Sequence, residues 1–415
     1  MLFRSVENPG FHRGSKVIIH LKSECRDFCR PTELLKIIKK YSNFISYTIK
    51  LNGETVNSLQ AIWYRDRKDV TIDEYQKFYE VVANNTKLPY KYLLHFSSDV
   101  PLDIKALLYI PSSTMEKYGV NEENTGLSLY SRKILIKPKC TELLPNYFRF
   151  IKGVVDCSDI PLSISRESYQ DSNLIFKLRV LITKRIIKKL EDEMKADPDT
   201  YDKWYEDFQQ YVREGVFSDQ DNSENLLKLL RFKSTFSTNK KINLDEYVSK
   251  MKEGQDKIYF CIITNDQEIE SNVFLETYKG SDLPILICNN PLDEILFKNK
   301  GQFKNFKFVN IENEHDDFLD KFKHETSSTI TKIPDEEVAP LSLWIKNELE
   351  PFVTKVTLSR RLKDTPLLVT SNISSHMKTM MAMMNPDMKD PMNSMKDFIV
   401  EINPSNELII NLNKL

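Results

Sequence analysis

Glycine is scarce, with ten in 415 residues. A loop that cradles phosphate needs closely spaced glycines, so that backbone amides can approach the oxygens. Only Gly10 and Gly14 lie within six residues of each other, and no Walker-type loop, GxGxxG or GxSxG occurs. Histidine is equally thin: positions 12, 20, 95, 315, 324 and 376 form no HExxH or other ligand spacing. Neither sign of charge is in excess. The 59 basic and 60 acidic residues leave a formal net charge of −1, which makes no electrostatic case for a nucleic acid partner. No apolar run approaches the roughly 20 residues needed to span a bilayer; IYFCII (258–263) is typical. These absences argue against an enzyme complete in itself, a nucleic-acid binder and a membrane span.

Six cysteines, 25, 29, 140, 157, 261 and 288, are scattered, several of them inside apolar runs. That pattern reads as reduced thiols in an intracellular compartment. Cys25 and Cys29, with His20 nearby, have no second pair at metal spacing and read as ordinary residues, so no metal is expected. Met1–Gly14 carries two arginines but runs straight into KVIIHLK (16–22), which leaves no room for a transit peptide or secretory segment. With 40% hydrophobic and 29% charged residues the composition is that of a globular protein. At roughly 150 residues per domain, the length suggests two to three domains.

The periodicity predicts a layered α/β (α+β) architecture. KVIIHLK reads as a strand, and PTELLKIIKKY (31–41) as a helix with Leu34, Ile38 and Tyr41 on one face. In YTIKLNGETV (47–56), Asn52-Gly53 favours a type I′ hairpin turn. Thr71 and Glu74 form a capping box, followed by Tyr75, Phe78, Tyr79 and Val82 at helical spacing. KYLLHF (91–96), IKALLYI (104–110) and SRKILIK (131–137) read as strands. Helical stripes follow: Leu174 to Leu190, then Trp204, Phe208, Tyr211 and Val212, then Leu226 to Leu230. A second, smaller α/β unit is predicted from DKIYFCIIT (256–264), LPILICN (283–289) and FKFVNI (306–311), with LDEILFKN (292–299) as a crossover helix. Asp316–Glu337 is polar and reads as a linker. Beyond it come a helix at 341–349, a strand at 355–362 and two final helices.

Three features carry chemistry. Arg166 sits in the polar turn DIPLSISRE just ahead of a helix. A guanidinium there can meet a phosphate presented by another domain; the plainer reading is a surface arginine paired with Glu167 or Asp171. Eight of the twelve methionines fall between 377 and 395, and Met377, Met381, Met384 and Met388 repeat as on a helix face that breaks before Pro386. That stripe is either buried core or an adaptable surface. Last, Asn403-Pro404 is a good helix start, and Leu408, Ile409, Leu412 and Leu415 make an apolar stripe for its own domain or for a partner copy.

The block YSRKILIKPKCTELLPNYFRFIKGVVDCSDIPLSISRESYQ (130–170) resembles the middle segment of the Hsp90 chaperones, most closely their mitochondrial, TRAP1-like branch. HRGSKVIIHLK (12–22) looks like the end of that family's nucleotide domain. KYSNFISYTIKLNGETVNSLQAIW, LHFSSDVPLDIKALLYIP, NLLKLLRFKST, KIYFCIIT and EINPSNELIINLNKL continue in family order. The resemblance implies a remnant of the nucleotide domain and linker over 1–20 and a middle domain over 21–325. Within the latter, 21–170 and 241–325 would be large and small αβα subdomains, joined by helices over 171–240. A mixed α/β dimerisation domain would occupy 326–415.

The resemblance also implies roles. Arg166 would contact the γ-phosphate of ATP held with magnesium on the nucleotide domain, and Gln170 would support that loop. Tyr109 would belong to an apolar patch that docks the nucleotide domain, or be a plain strand residue. Met377, Met380, Met381 and Met384 would contact unfolded client proteins. Leu408, Ile409, Leu412 and Leu415 would join a homodimer. The family's catalytic glutamate, magnesium-binding asparagine and glycine-rich lid have no counterpart among these 415 residues. ATP turnover is therefore expected of a complete protein and not of these residues alone, and no cofactor is expected to bind them. The alternative is an ATP-independent holdase or dimeric scaffold. The chain closes on NKL and not on MEEVD, so tetratricopeptide co-chaperones are not expected. The branch implies the mitochondrial matrix.

Overall fold

The computed structural model describes residues 15–45, 47–57, 60–83, 88–119, 126–160, 172–276, 278, 282–312, 333–359, 362, 365–371 and 398–414. The chain divides into two compact units, 1–183 and 184–415, and the division falls inside one long helix.

In the first unit, helix α1 (Pro31–Tyr41) starts on its proline, as expected. Strands β1 (Lys50–Leu51) and β2 (Glu54–Thr55) are joined by Asn52-Gly53, with φ of 53° and 93°, as a type I′ turn requires. Helix α2 (Ile72–Val82) opens on its capping box: Glu74 N donates to Thr71 Oγ1 at 3.3 Å, and Thr71 N to Glu74 Oε2 at 2.8 Å. Its buried face carries Tyr75, Phe78 and Tyr79.

Beneath it lies a five-stranded sheet. Its strands are β3 (Tyr90–Ser98), β4 (Ile104–Pro111), β5 (Leu127–Ser131), β6 (Ile134–Cys140) and β7 (Lys152–Cys157), in the order β3-β4-β7-β5-β6. Only β5 and β7 pair in parallel. Leu107 and Tyr109 face the core under α2, with Trp63, Phe78 and Tyr130. Ala106, Leu108 and Ile110 point the other way and are also fully buried, so β4 is covered on both faces. Gly153 lies opposite Leu108 at φ 148°. A methyl group there would press into the Leu107 carbonyl and lie 2.9 Å from Leu108 Cα.

Two expectations fail in this unit. KVIIHLK forms no strand, and Val17, Ile18 and Ile19 are exposed. An isolated apolar run with β propensity needs a neighbouring strand to satisfy its backbone. SRKILIK is not one strand but the end of β5, a turn at Arg132-Lys133 with φ 49° and 67°, and the start of β6.

Helix α3 (Ser172–Ala196) buries Leu174, Leu178, Ile182, Ile186 and Leu190, the predicted stripe, while Leu181 stays half-buried. In the second unit, α4 (Pro198–Ser218) is capped by Asp197 and α5 (Ser223–Lys228) follows. The strands are β8 (Phe232–Ser234), β9 (Ser237–Ile242), β10 (Lys257–Ile262), β11 (Leu286–Cys288), β12 (Gln302–Phe303) and β13 (Phe306–Asn310), in the order β12-β13-β10-β11-β8-β9. The three predicted strands form its parallel centre, β13-β10-β11. Short helices α6 (Leu244–Ser249) and α7 (Val273–Glu276) interrupt the strands, and α8 (Leu292–Lys300) is the crossover.

Nearer the C-terminus, α9 (Asp335–Glu348) starts earlier than predicted and holds Pro340 within it. Strands β14 (Val353–Leu358), β15 (Leu367–Ser371) and β16 (Phe398–Ile402) make a mixed sheet in the order β14-β16-β15. Its core is Ile333, Val338, Leu341, Ile345, Val353, Val400, Ile402 and Ile409. Helix α10 (Glu407–Asn413) is capped by Asn406 and not by Asn403. Asn403 is buried; its amide donates to Thr365 O at 3.1 Å and its Oδ1 accepts from Ser405 N at 3.1 Å. Most of the predicted linker and the methionine-rich segment lie outside the described residues. The fold is mixed α/β, as expected.

Candidate functional site

Arg166 and Gln170 lie outside the described residues, which end at Ile160 and resume at Ser172. The structure does show how the chain entering that segment is anchored. Ser158 N donates to Asp103 O at 3.1 Å, and Asp103 N donates to Asp159 Oδ2 at 3.0 Å. Ser131 Oγ, fully buried, donates to Ile160 O at 2.9 Å. The end of β7 is thus tied to its neighbours on both sides.

The penultimate residue of β7 is Asp156, 1% exposed. Its Oδ2 accepts from the Trp63 indole at 3.2 Å and from Lys133 N at 2.8 Å. Burial pushes the carboxyl up from its ordinary range; the Lys133 amide, the Trp63 indole and the Arg132 amide pull it back. Burial likewise raises Tyr64, with the Asp156 charge adding to it, so the phenol stays neutral. Lys133 Nζ lies 4.5 Å and Lys105 Nζ 5.2 Å from the centroid of the Tyr64 ring. Asp156 therefore pins the Arg132-Lys133 turn and the Trp63 core to the strand that leads to Arg166. Solvent scarcely reaches it, and its hydrogen bonds are those of an anchor. The signal for it in the sequence is VVDC, a lone carboxylate inside an apolar strand.

Tyr109 lies inside the core of the first unit. It is fully buried, its hydroxyl donates to Tyr75 O at 3.0 Å, and its ring lies 5.0 Å from Tyr79 and 5.1 Å from Tyr90. A side chain sealed under α2 has no surface to offer a docking domain. The plain strand reading is the one it fits, and the uninterrupted apolar run ALLYI was the signal for a strand covered on both faces.

Met377, Met380, Met381 and Met384 lie outside the described residues, as does Leu415. The terminal stripe splits. Ile409 is 1% exposed inside its own domain's core, with Leu412 half-buried against it, whereas Leu408 is 64% exposed. Among the described residues, no group of three His, Cys, Asp or Glu side chains is placed to hold a metal ion. No helix there is long and apolar enough to cross a membrane.

Comparison with known proteins gives the context for this geometry. The family model described as Hsp90 protein matches residues 52–415. "Chaperone protein HtpG" of Desulfitobacterium hafniense is 35% identical over 411 residues, covering 99% of this chain and 66% of the relative. "TNF receptor-associated protein 1 homolog, mitochondrial" of Dictyostelium discoideum is 34% identical, covering 98% of this chain and 57% of the relative. "Heat shock protein 75 kDa, mitochondrial" of Rattus norvegicus is 34% identical, covering 100% of this chain and 60% of the relative. The chain thus spans about three-fifths of the length of these relatives. A match that runs from the β1–β2 hairpin through the buried anchor to the last helix leaves one assignment: the chain belongs to the Hsp90 family.

Proposed function

We propose that these residues are the middle and C-terminal region of an Hsp90-type molecular chaperone, whose complete form remodels client proteins with ATP. The observation that carries this reading is the family match from 52 to 415, which includes the block around Arg166. In this reading Arg166 meets a nucleotide held with magnesium on the family's nucleotide domain, and Gln170 supports the loop. The anchoring of Ile160 and Asp156 supports it, because a side chain that must reach another domain needs a rigid base. Met377, Met380, Met381 and Met384 form the adaptable surface for clients. Leu408, with Leu412 and Leu415, contributes to joining two copies. The relatives named as mitochondrial support a mitochondrial location, and the matrix is the compartment this reading proposes.

The test mixes this chain with a separately produced Hsp90 nucleotide domain and follows ATP turnover. The chain should raise turnover, and Arg166→Ala should abolish that rise with no change in its melting temperature. Equal stimulation by both refutes the role of the arginine. Suppression of client aggregation that is indifferent to nucleotide would favour an ATP-independent holdase.

A further inference from the structure

Next to the Asp156 anchor, a cavity of about 610 Å³ opens with Phe44, Tyr47, Gln60, Tyr64, Arg65 and Lys133 in its lining. Its size falls in the range of small-ligand pockets, about 300–1,000 Å³. Among the described residues the lining includes two cations and no Asp or Glu, with Glu74 behind Arg65. Both cations are held from behind. Arg65 Nη1 donates to Glu74 Oε1 at 2.6 Å, and Nη2 donates to Asp69 O. Among the described residues that uses two of the five N–H donors of a guanidinium. Lys133 is fixed by its backbone: φ is 67° in the hairpin turn, and its amide donates to buried Asp156. Its ammonium lies over the Tyr64 ring at 4.5 Å. Phe44, Tyr47 and Tyr64 form the aromatic part of the lining, beside Ile45, Thr48, Asn57, Gln60 and Ala61. Phe44 packs edge-on against Trp63 at 4.9 Å, and Tyr47 is largely exposed at 82%.

Fixed cations beside aromatic rings, with the polar side chains of Thr48, Asn57 and Gln60 in the same lining, fit an anion with a flat body. We propose that this cavity binds a small organic anion, a carboxylate carried on a flat aromatic body. The carboxylate sits between Arg65 and Lys133, where a guanidinium fork and an ammonium can both donate. The aromatic body lies against Phe44 and Tyr64, with Tyr47 at the mouth. The site stands apart from the chaperone reading, which neither requires it nor accounts for it.

The test is isothermal titration calorimetry of the full chain with 2-naphthoate, and with neutral 2-naphthamide as its uncharged match. Saturable binding of the carboxylate to one site is expected, with the amide at least about tenfold weaker. Lys133→Asn removes the charge and tolerates the left-handed backbone of the turn; it should weaken the carboxylate about tenfold and leave the amide unchanged. Arg65→Met should do the same, and Arg65→Lys, which keeps a charge but not the fork, should fall between. If loss of the Glu74 contact unfolds the Arg65→Met variant, Lys133→Asn with an unchanged melting temperature decides. Absence of saturable binding at millimolar 2-naphthoate overturns the proposal. So does equal affinity for acid and amide, or undiminished binding by folded Lys133→Asn.

Discussion

Arg213 on α4 and Asp293 on α8 stand 80 residues apart in the chain and meet as a two-pronged ion pair that solvent does not reach. The Nε–Oδ1 distance is 2.7 Å and the Nη2–Oδ2 distance 3.0 Å, with side chains 1% and 0% exposed. Gln209 takes a third donor, Nη1, at 2.8 Å. The pair ties α4 to the crossover helix α8.

Removing one partner leaves the other charged and buried. Asp293→Ala should therefore lower unfolding free energy by about 3–5 kcal/mol, whereas Arg213→Met with Asp293→Leu should recover most of the loss. Urea unfolding followed by fluorescence of Trp204, which lies on the same helix, reads both. A loss below about 1 kcal/mol for Asp293→Ala would mean that the pair is not buried in solution.

Gly153→Ala tests the close approach of β4 and β7. The new methyl group has only backbone to displace, so the strand pairing must open. A loss of about 1–3 kcal/mol is expected in the same unfolding measurement. An unchanged midpoint would show that the two strands lie further apart.

Glu74 gives a pH signature. Hydrogen bonds from the Thr71 amide, then from Arg65 and the Thr71 hydroxyl, hold its carboxyl down at about 2, against an ordinary 4.5. A lowered carboxylate contributes stability that is fully present above pH 4.5 and is lost as the pH falls through about 2. Glu74→Gln removes the titrating group, so wild type and variant should differ above pH 4.5 and converge toward pH 2. Thermal melts across that range check it; a difference independent of pH would contradict the assignment.

The end of the chain separates folding from association. Ile409→Ala should cost about 2–5 kcal/mol of stability, because it empties a core position. Leu408→Glu should leave the melting temperature unchanged and shift the light-scattering mass from dimer toward monomer. A wild-type mass equal to one chain removes the dimer reading.

Much of the local structure was legible because its cause was local. Thr71 and Glu74 announce α2, Asn52-Gly53 the hairpin, and the apolar runs at 256–264, 283–289 and 306–311 the parallel strands, because each signal spans only a few residues. Pairing was not legible. The run at 16–22 has strand composition and no strand, since nothing among the described residues pairs with it. Asn403-Pro404 has the chemistry of a helix start, yet the Thr365 carbonyl and Ser405 amide draw in the Asn403 side chain, and Asn406 caps instead.

Taken alone, the order of residues determined the family resemblance, the α/β class and the positions of most helices, through periodicities set within one or two turns. Tertiary structure decided the rest. It sealed Tyr109 under α2, divided Leu408 from Ile409, and made Asp156 an anchor between Trp63 and Lys133. It also brought Arg65 and Lys133 to one cavity. A residue's partner at a distance of 70 or 80 positions depends on how strands and helices pack, and no local pattern carries that information.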